Sequence, residues 1–160
     1  MKIVIFSDSH GNSEAVQTIF KKENGANVFI FLGDGIEELR TIQKNIPEEK
    51  LFAVRGNCDR NLRIPPEQLR SFEGKLVFFT HGDGYGVKFT QEALKQAAKQ
   101  RGAEIVLFGH THIPYYAYDE GMYFFNPGSV ALPRQGVETY GLLFLQEGEE
   151  PRFAHKEVFS

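Results

Sequence analysis

The sequence predicts an α/β fold in which two mixed β-sheets pack face to face as a sandwich with flanking helices. Three observations support this prediction. Short apolar runs recur along the first two thirds of the chain, segments with helical spacing separate several of them, and the last third consists of strand-like runs joined by tight turns. Strands that alternate with helices favour parallel pairing, whereas closely spaced strands favour antiparallel pairing.

Five apolar runs are the predicted strands of the first part of the chain. They begin the segments KIVIFSDSH, VFIFLGD, LFAVRGN, LVFFTH and IVLFGHTHIP. Each run is rich in β-branched or aromatic residues, is too short for a helix, and is bounded by Gly, Ser or Asp. We therefore expect five buried strands.

Three amphipathic helices are predicted around these strands. Apolar residues at helical spacing place the first helix over 12–22 and the second over roughly 36–46. The third is expected over 90–101, with Thr90 as its N-terminal cap and Gly102 as its stop.

The remaining segments are expected to be loops and antiparallel strands. A Pro-Pro pair resists regular structure, so the segment 61–70 is expected to be a surface loop. From Pro114 onward, strand-like runs are separated by turns at 119–121 and 126–128, which predicts an antiparallel meander in the last third of the chain.

Composition limits the class of protein. The chain has 160 residues, a net charge of −3, a pI near 6.0 and one cysteine. This length suits a single domain over 1–160 that folds without disulfides. No basic block indicates a nucleic-acid polymer as partner, and no apolar run approaches the roughly 20 residues needed to cross a bilayer. The N-terminus starts a strand at once, so we expect no signal peptide and a cytoplasmic location.

Side chains that bind metals or protons follow directly after the predicted strands. Ligands bind at the carboxyl ends of strands in open α/β sheets, so these side chains are expected to converge. Nitrogen and oxygen donors without thiolate suit Mn, Fe, Zn, Ni or Co. The seven candidates are Asp8, His10, Asp34, Asn57, His81, His110 and His112.

The spacing of these candidates bears on which of them share an ion. Asp8 and His10, at i and i+2, point to one side only while the backbone stays extended. The side chains of His110 and His112 have the same spacing and would diverge toward different ions if the backbone turns. Asp34 lies between two glycines that let the backbone fold tightly around it, so we expect it to bridge two ions.

A charge count favours a phosphoester as substrate. Seven ligands exceed what one ion holds and suit two divalent ions that share a carboxylate. Two such ions and two aspartates leave the site at about +2, and a bridging hydroxide would leave about +1. Such a site attracts a phosphate ester, activates a bound water and stabilises the charge on the phosphoryl oxygens.

Five ordered motifs, DSH, GDG, GNCD, TH before Gly82, and GHTH, resemble the sequence blocks of the calcineurin-like metallophosphoesterases. The later NPGSV and PR resemble the small bacterial and archaeal phosphodiesterase branch of that family. The resemblance implies an α-β-β-α sandwich and a phosphodiesterase that acts on small organic phosphodiesters through a metal-bound hydroxide, with Mn as the expected ion. The implied ligands are Asp8, His10 and His112 for the first ion, Asn57, His81 and His110 for the second, and Asp34 as the bridge.

Two positions depart from the larger family. Much of that family has a histidine after the asparagine of the third block, where it is thought to protonate the leaving group, but this chain has Cys58. A thiol with a pKa near 8.5 is a poor acid, so we interpret Cys58 as a half-buried apolar residue and leave the leaving-group acid unassigned. Glu37-Glu38 replaces the Asp-Arg pair of the phosphoprotein phosphatases, which argues against that activity.

The sequence leaves several interpretations open. Asp34, Asn57 and His81 are the residues expected to act in catalysis, yet a phosphomonoesterase and a non-catalytic metal-binding scaffold of the same fold stay as alternatives. Asp59 either orients a ligand or caps its own turn. Arg134 contacts either substrate phosphate or a carboxylate. The physiological substrate, the native metal and the oligomeric state, including a homodimer, stay open.

Overall fold

The structure, a computed structural model, describes residues 1–160 and contains ten strands, three α-helices and two short 3-10 helices. The strands are β1 Lys2–Phe6, β2 Val28–Phe31, β3 Leu51–Ala53, β4 Glu67–Phe72, β5 Lys75–Thr80, β6 Ile105–Leu107, β7 Tyr115–Asp119, β8 Met122–Asn126, β9 Thr139–Phe144 and β10 Arg152–Glu157. The helices are α1 Ser13–Lys22, α2 Ile36–Gln43 and α3 Glu92–Gln100.

The strands form two mixed five-stranded sheets, as predicted. The first sheet has the order β10-β9-β1-β2-β3 and the second the order β4-β5-β6-β8-β7. β1, β2 and β3 run parallel in the first sheet, and β5, β6 and β8 run parallel in the second. In the first sheet β9 pairs antiparallel to β1 and β10 antiparallel to β9, and in the second β4 and β7 pair antiparallel to β5 and β8.

β1, β2 and β6 are buried on both faces, which explains their continuous apolar runs, whereas β3, at the edge of the first sheet, is only half-buried and not fully buried as predicted. In β1, Ile3 and Ile5 pack into the core between the two sheets, whereas Val4 and Phe6 pack into the core beneath α1 and α2. A third apolar cluster lies between the second sheet and α3. The layers are therefore α-β-β-α.

The helices occupy the predicted segments with shifted ends. α1 begins after Asn12, whose side-chain oxygen accepts a hydrogen bond from the N–H of Ala15. α2 ends at Gln43, before the predicted limit, in keeping with the α-region being disfavoured for the residue that precedes Pro47. α3 begins two residues later than predicted, and its N-terminal cap is Gln91 and not Thr90, whose backbone N–H bonds to the preceding turn at Gly86.

Two predictions about the strands are wrong. The segment 61–70 is not a loop throughout, because its last four residues begin β4, an edge strand that starts just after the prolines. The last third of the chain is not one meander either. The β7–β8 hairpin joins the second sheet and the β9–β10 hairpin joins the first. Local turn residues do not reveal that the connection between the hairpins crosses from one sheet to the other.

The longest helix has only ten residues, and none of the helices has the length and apolar character that crossing a membrane requires. The loops that follow β1, β2, β3, β5 and β6 carry the seven candidate ligands.

Candidate metal centre

The candidate ligands lie in sharp turns. Five of the seven non-glycine residues with a positive φ are predicted ligands. The backbone through Asp8 and His10 is therefore not extended, and the argument that an extended chain aligns their side chains is wrong. Left-handed backbone is uncommon for such residues and costs on the order of 1–3 kcal/mol each, so surrounding contacts must hold it. The five residues are Asp8 (φ 59°), His10 (37°), Asp34 (61°), His110 (70°) and His112 (59°).

One cluster of ligand atoms joins the loops after β1 and β6. The Oδ1 atom of Asp8 lies 3.1 Å from Nε2 of His112 and 3.5 Å from Nε2 of His10. The same two ring nitrogens lie 3.2 Å apart. The structure thus brings together the three residues expected around the first ion.

A second cluster joins the loops after β2, β5 and β6. The Oδ2 atom of Asp34 lies 3.3 Å from Nε2 of His81, which lies 3.1 Å from Nδ1 of His110. Oδ2 of Asp34 also lies 3.7 Å from Nε2 of His10, in the first cluster. The backbone turn at His110 and His112 therefore sends their side chains to different clusters, and the Asp34 carboxylate reaches both.

Hydrogen bonds to backbone carbonyls fix two of the imidazole rings. Nδ1 of His81 donates to the carbonyl of Leu32 at 2.7 Å, and Nδ1 of His112 donates to the carbonyl of Leu132 at 2.8 Å. These partners assign the proton to Nδ1, which leaves the Nε2 lone pair of each neutral ring facing the clusters. Oδ1 of Asp8 is fully buried and accepts no hydrogen bond. Facing lone pairs and an unsatisfied carboxylate oxygen fit divalent cations.

Both aspartates stay ionised in this environment. Burial alone would raise the pKa of Asp8, but contacts with His10 and His112 and the charge of His81 hold that pKa well below its usual range. Burial also opposes ionisation of Asp34, but its contact with His81 keeps its pKa below the usual value. Two permanent carboxylates thus provide the negative charge that attracts cations.

The site shifts the pKa values of His81 and His110 in opposite directions. Burial alone would lower the pKa of His81, but the carboxylates of Asp34 and Asp8 raise it to about 9. Burial lowers the pKa of His110, and the positive charges of His81 and Lys88 lower it further. In the metal-free protein, His81 therefore holds a proton between the carboxylates, and the contact with Asp8 raises the pKa of His10 as well.

Asp59 ties the loops after β2 and β3 together. Its Oδ2 atom accepts the N–H groups of Asp34 at 2.7 Å and Gly56 at 2.8 Å. Its Oδ1 atom accepts the N–H groups of Gly35 at 2.9 Å and Ile36 at 3.1 Å. The structure supports the interpretation that Asp59 orients a ligand, because it fixes the backbone that carries Asp34.

Asn57 is the candidate that the structure connects least to the others. Its side chain is exposed, lies 3.7 Å from the sulfur of Cys58, and makes no hydrogen bond to the other six candidates.

The interpretation of Cys58 as half-buried is wrong, because its side chain is exposed. The Cys58 N–H donates to Oδ1 of Asp34 at 2.8 Å, and the Cys58 sulfur, although exposed, lies within 4.8 Å of ligand atoms of His10 and Asp34. Burial and the charge of Asp34 raise the pKa of that thiol, which keeps it protonated.

Sequence reasoning missed the polar residues that support Asp8. The hydroxyl of Ser7 donates to Oδ2 of Asp8 at 2.6 Å, and the hydroxyl of Ser129 donates to the Asp8 carbonyl at 2.8 Å. The amide of Asn126 donates to the carbonyl of Gly109 at 3.0 Å, which braces the loop of the two histidines. The NPGSV motif contained this signal, but the sequence interpretation used the motif for a turn at 126–128 and for the family resemblance, and gave it no role beside Asp8.

A sandwich of two mixed sheets with paired Asp–His clusters at its loop edge defines a metal-binding α/β protein. Residues 1–148 match the calcineurin-like phosphoesterase superfamily domain, so the chain belongs to the calcineurin-like metallophosphoesterase family. It is 35% identical over 147 residues to the "Probable metallophosphoesterase YsnB" of Bacillus subtilis, an alignment that covers 91% of this chain and 85% of the relative.

A second relative is the "Phosphodiesterase YfcE" of Escherichia coli K12. It is 30% identical over 167 aligned positions that cover 89% of this chain and 87% of the relative. A solved structure of this E. coli phosphoesterase matches with a TM-score of 0.68 and 27% identity, covering 90% of this chain and 88% of the other. Zinc-bound Vps29 of Entamoeba histolytica matches with a TM-score of 0.77 over 99% of each chain, but at 19% identity this shows the fold alone.

Proposed function

We propose that the protein is a metal-dependent phosphodiesterase that hydrolyses small organic phosphodiesters at a dinuclear metal centre. The observation that carries the proposal is the position of the Asp34 carboxylate, whose Oδ2 atom lies 3.7 Å from His10 in one cluster and 3.3 Å from His81 in the other. A carboxylate in that position suits a bridge between two ions.

The chain's own residues supply a cradle for those ions. Manganese is the ion we propose, since all the donors are oxygen or nitrogen. Two bound divalent ions would supply an activated water and positive charge for the phosphoryl oxygens. The proposed ligands are Asp8, His10 and His112 for the first ion, Asn57, His81 and His110 for the second, and Asp34 as the bridge, with Asp34, Asn57 and His81 taking part in catalysis.

The preference for a diester rests on likeness to the E. coli phosphodiesterase. No protonated imidazole stands where the larger family has its acid, and the exposed thiol of Cys58 replaces it. The chain thus presents no strong acid at that position. We expect departure of the alcohol to depend on the alcohol's own acidity.

A scaffold role without catalysis is the weaker alternative. The likeness to Vps29 concerns the fold, whereas all seven candidate positions of this chain hold residues that can bind metal. Six of the seven converge on the two clusters. A scaffold role does not explain why two sets of ligands meet at one shared carboxylate.

The test compares the protein stripped with EDTA and then supplied with Mn²⁺ on two substrates, bis(4-nitrophenyl) phosphate and 4-nitrophenyl phosphate. We expect hydrolysis only with metal, and a higher kcat/KM on the diester. Asp34→Asn should abolish turnover and lower the metal content of both sites, because an amide is an uncharged and weaker ligand.

Each other outcome has a defined meaning. Full activity in excess EDTA contradicts the metal mechanism. Preference for the monoester identifies a phosphomonoesterase instead. Two bound ions per chain without hydrolysis of either ester support the scaffold. Normal binding of two ions by Asp34→Asn assigns the bridge to another residue.

A further inference from the structure

A separate cavity lies beside the candidate metal centre. Its volume is about 230 Å³. Thr111, which lies between His110 and His112 in the chain, forms part of its wall. The backbone N–H of Arg134, another lining residue, donates to the His112 carbonyl at 3.1 Å. The cavity therefore shares a wall with the loop that carries two candidate ligands.

One side of this cavity is apolar and aromatic. Phe108 and Tyr115 line it with their rings edge to face, 5.9 Å between centroids, and Ile113 lies with them in the lining. Phe108 is almost fully buried, whereas Tyr115 is 38% exposed, so the aromatic surface runs from the core to the mouth. Aromatic walls of this kind favour a planar ring.

The charged residues that line the cavity are both cationic. They are Lys88 and Arg134, and no acidic side chain lines the cavity. Neither cation forms a salt bridge, in contrast to Lys95 and Arg101 nearby on the second sheet's side of the molecule. The lining of the cavity therefore has a net positive charge, which favours an anion.

The volume limits how much of a substrate the cavity holds. Pockets for whole small molecules have volumes of roughly 300–1,000 Å³, so 230 Å³ suits one part of a small molecule. The part nearest the proposed reacting phosphorus is an ester group. Resting on the proposed phosphodiesterase function, we propose that this cavity binds one ester group of the substrate, a planar ring that carries a negative charge of its own.

The test uses two symmetric diesters, so that the same group enters the cavity whichever ester is cleaved. They are bis(4-carboxyphenyl) phosphate, with anionic rings, and bis(4-nitrophenyl) phosphate, with uncharged rings. Lys88→Gln and Arg134→Gln, in the metal-loaded full chain, should each reduce kcat/KM about tenfold more on the carboxylate diester than on the nitro diester, mainly through KM. Lys156→Gln, which removes an exposed cation from β10, is the matched control and should change neither substrate.

A second pair of variants tests the ring. Tyr115→Ser should raise KM on both aryl diesters, whereas Tyr115→Phe should retain the wild-type KM because it keeps the aromatic face. No change of KM in Tyr115→Ser would overturn the assignment of a ring to this cavity.

Further results separate this inference from the proposed function. Equal losses on both diesters in Lys88→Gln and Arg134→Gln would place these cations on the reacting phosphate and overturn the inference, as would no loss at all. If the wild-type protein hydrolyses neither diester, the proposed function is overturned but the inference about the cavity is not. An NMR titration of the EDTA-treated protein with benzoate then tests whether the cavity binds an anionic ring. Amide shifts at Thr111 and Tyr115 that disappear in Arg134→Gln support the cavity's preference, and their absence in wild type overturns it.

Discussion

The proton on His81 makes both the stability of the metal-free protein and its binding of metal depend on pH. The two carboxylates of Asp8 and Asp34 raise the pKa of this ring to about 9, although burial alone would lower it. The protonated ring contributes its full stability to the metal-free protein below the ordinary histidine pKa of 6.5, and this contribution is lost as pH rises from there through about 9. A metal ion needs the Nε2 lone pair and must therefore displace the proton.

We predict that the apparent affinity for Mn²⁺ rises with pH below about 9, by about tenfold per pH unit for one displaced proton. Calorimetric titration in buffers of different ionisation enthalpy measures both the affinity and the number of protons released. An affinity that is constant between pH 6.5 and 8.5 would show that His81 is already neutral in the metal-free protein.

Cys58 tests whether a side chain protonates the leaving group. Because its thiol is exposed and its pKa is raised, we predict that Cys58→Ala changes the rate by much less than the roughly 10²–10⁴-fold that a general acid supplies. The measurement is the rate against leaving-group pKa for wild type and variant, with a steep slope expected in both.

One result would contradict this prediction. If Cys58→Ala hydrolysed alkyl diesters about a hundredfold more slowly than wild type, but aryl diesters at nearly the wild-type rate, the thiol would be the acid. Cys58→His should flatten the slope if an imidazole at this position reaches the leaving oxygen.

Between elements, the contact that matters most is the one Asp59 makes from the loop after β3 to the start of α2. One carboxylate satisfies four backbone N–H groups, two of them at Gly35 and Ile36, where α2 begins. Helix N-termini leave such groups without partners inside the helix, and a carboxylate also complements the helix dipole. Asp59, which lies in the loop after β3, thus fixes the turn at Asp34 in the loop after β2.

We predict that Asp59→Ala lowers the free energy of unfolding of the metal-free protein by about 2–4 kcal/mol, since several backbone donors lose their acceptor. Asp119→Ala is the matched control, because Asp119 is exposed and pairs only with Lys95, which is worth about 1 kcal/mol or less. Urea unfolding of both variants in EDTA measures the difference. Equal losses in the two variants would mean that Asp59 is no more than a surface residue.

How far the sequence predicts these elements depends on the range of the interactions that form them. Apolar runs and caps act locally, so β1, β2 and the start of α1 at Asn12 follow from the printed residues. The location of the candidate ligands after strands follows too. The left-handed backbone at Asp8 and His110 does not, because it depends on contacts with distant residues such as Ser129. The division of the last two hairpins between the sheets likewise depends on packing of the whole molecule.

At the scale of the whole molecule, the candidate metal centre joins the two sheets. Asp8 and Asp34 follow strands of the first sheet, whereas His81, His110 and His112 follow strands of the second. Ions bound between them would connect the two halves of the sandwich, which otherwise meet through apolar side chains.

We predict that saturating Mn²⁺ stabilises the entire fold, by about 2.7 kcal/mol for each site at a free concentration one hundred times its Kd. Thermal unfolding followed at two wavelengths, for wild type and Asp34→Asn, measures this effect. The transition should stay a single step and move upward in wild type, and should move much less in Asp34→Asn. Stabilisation of the same size in both proteins would place the bound ion elsewhere.

Because β1 pairs with β9, the two sheets can be completed at different times during translation. Lys2 of β1 lies opposite Phe144 of β9, so β1 lacks this neighbour in the first sheet until residue 144 has been translated. All five strands of the second sheet end by residue 126 and are available for pairing earlier. While the ribosome is still adding residues, the nascent chain can therefore complete the sheet that carries His81, His110 and His112 before the sheet that carries His10 and both aspartates.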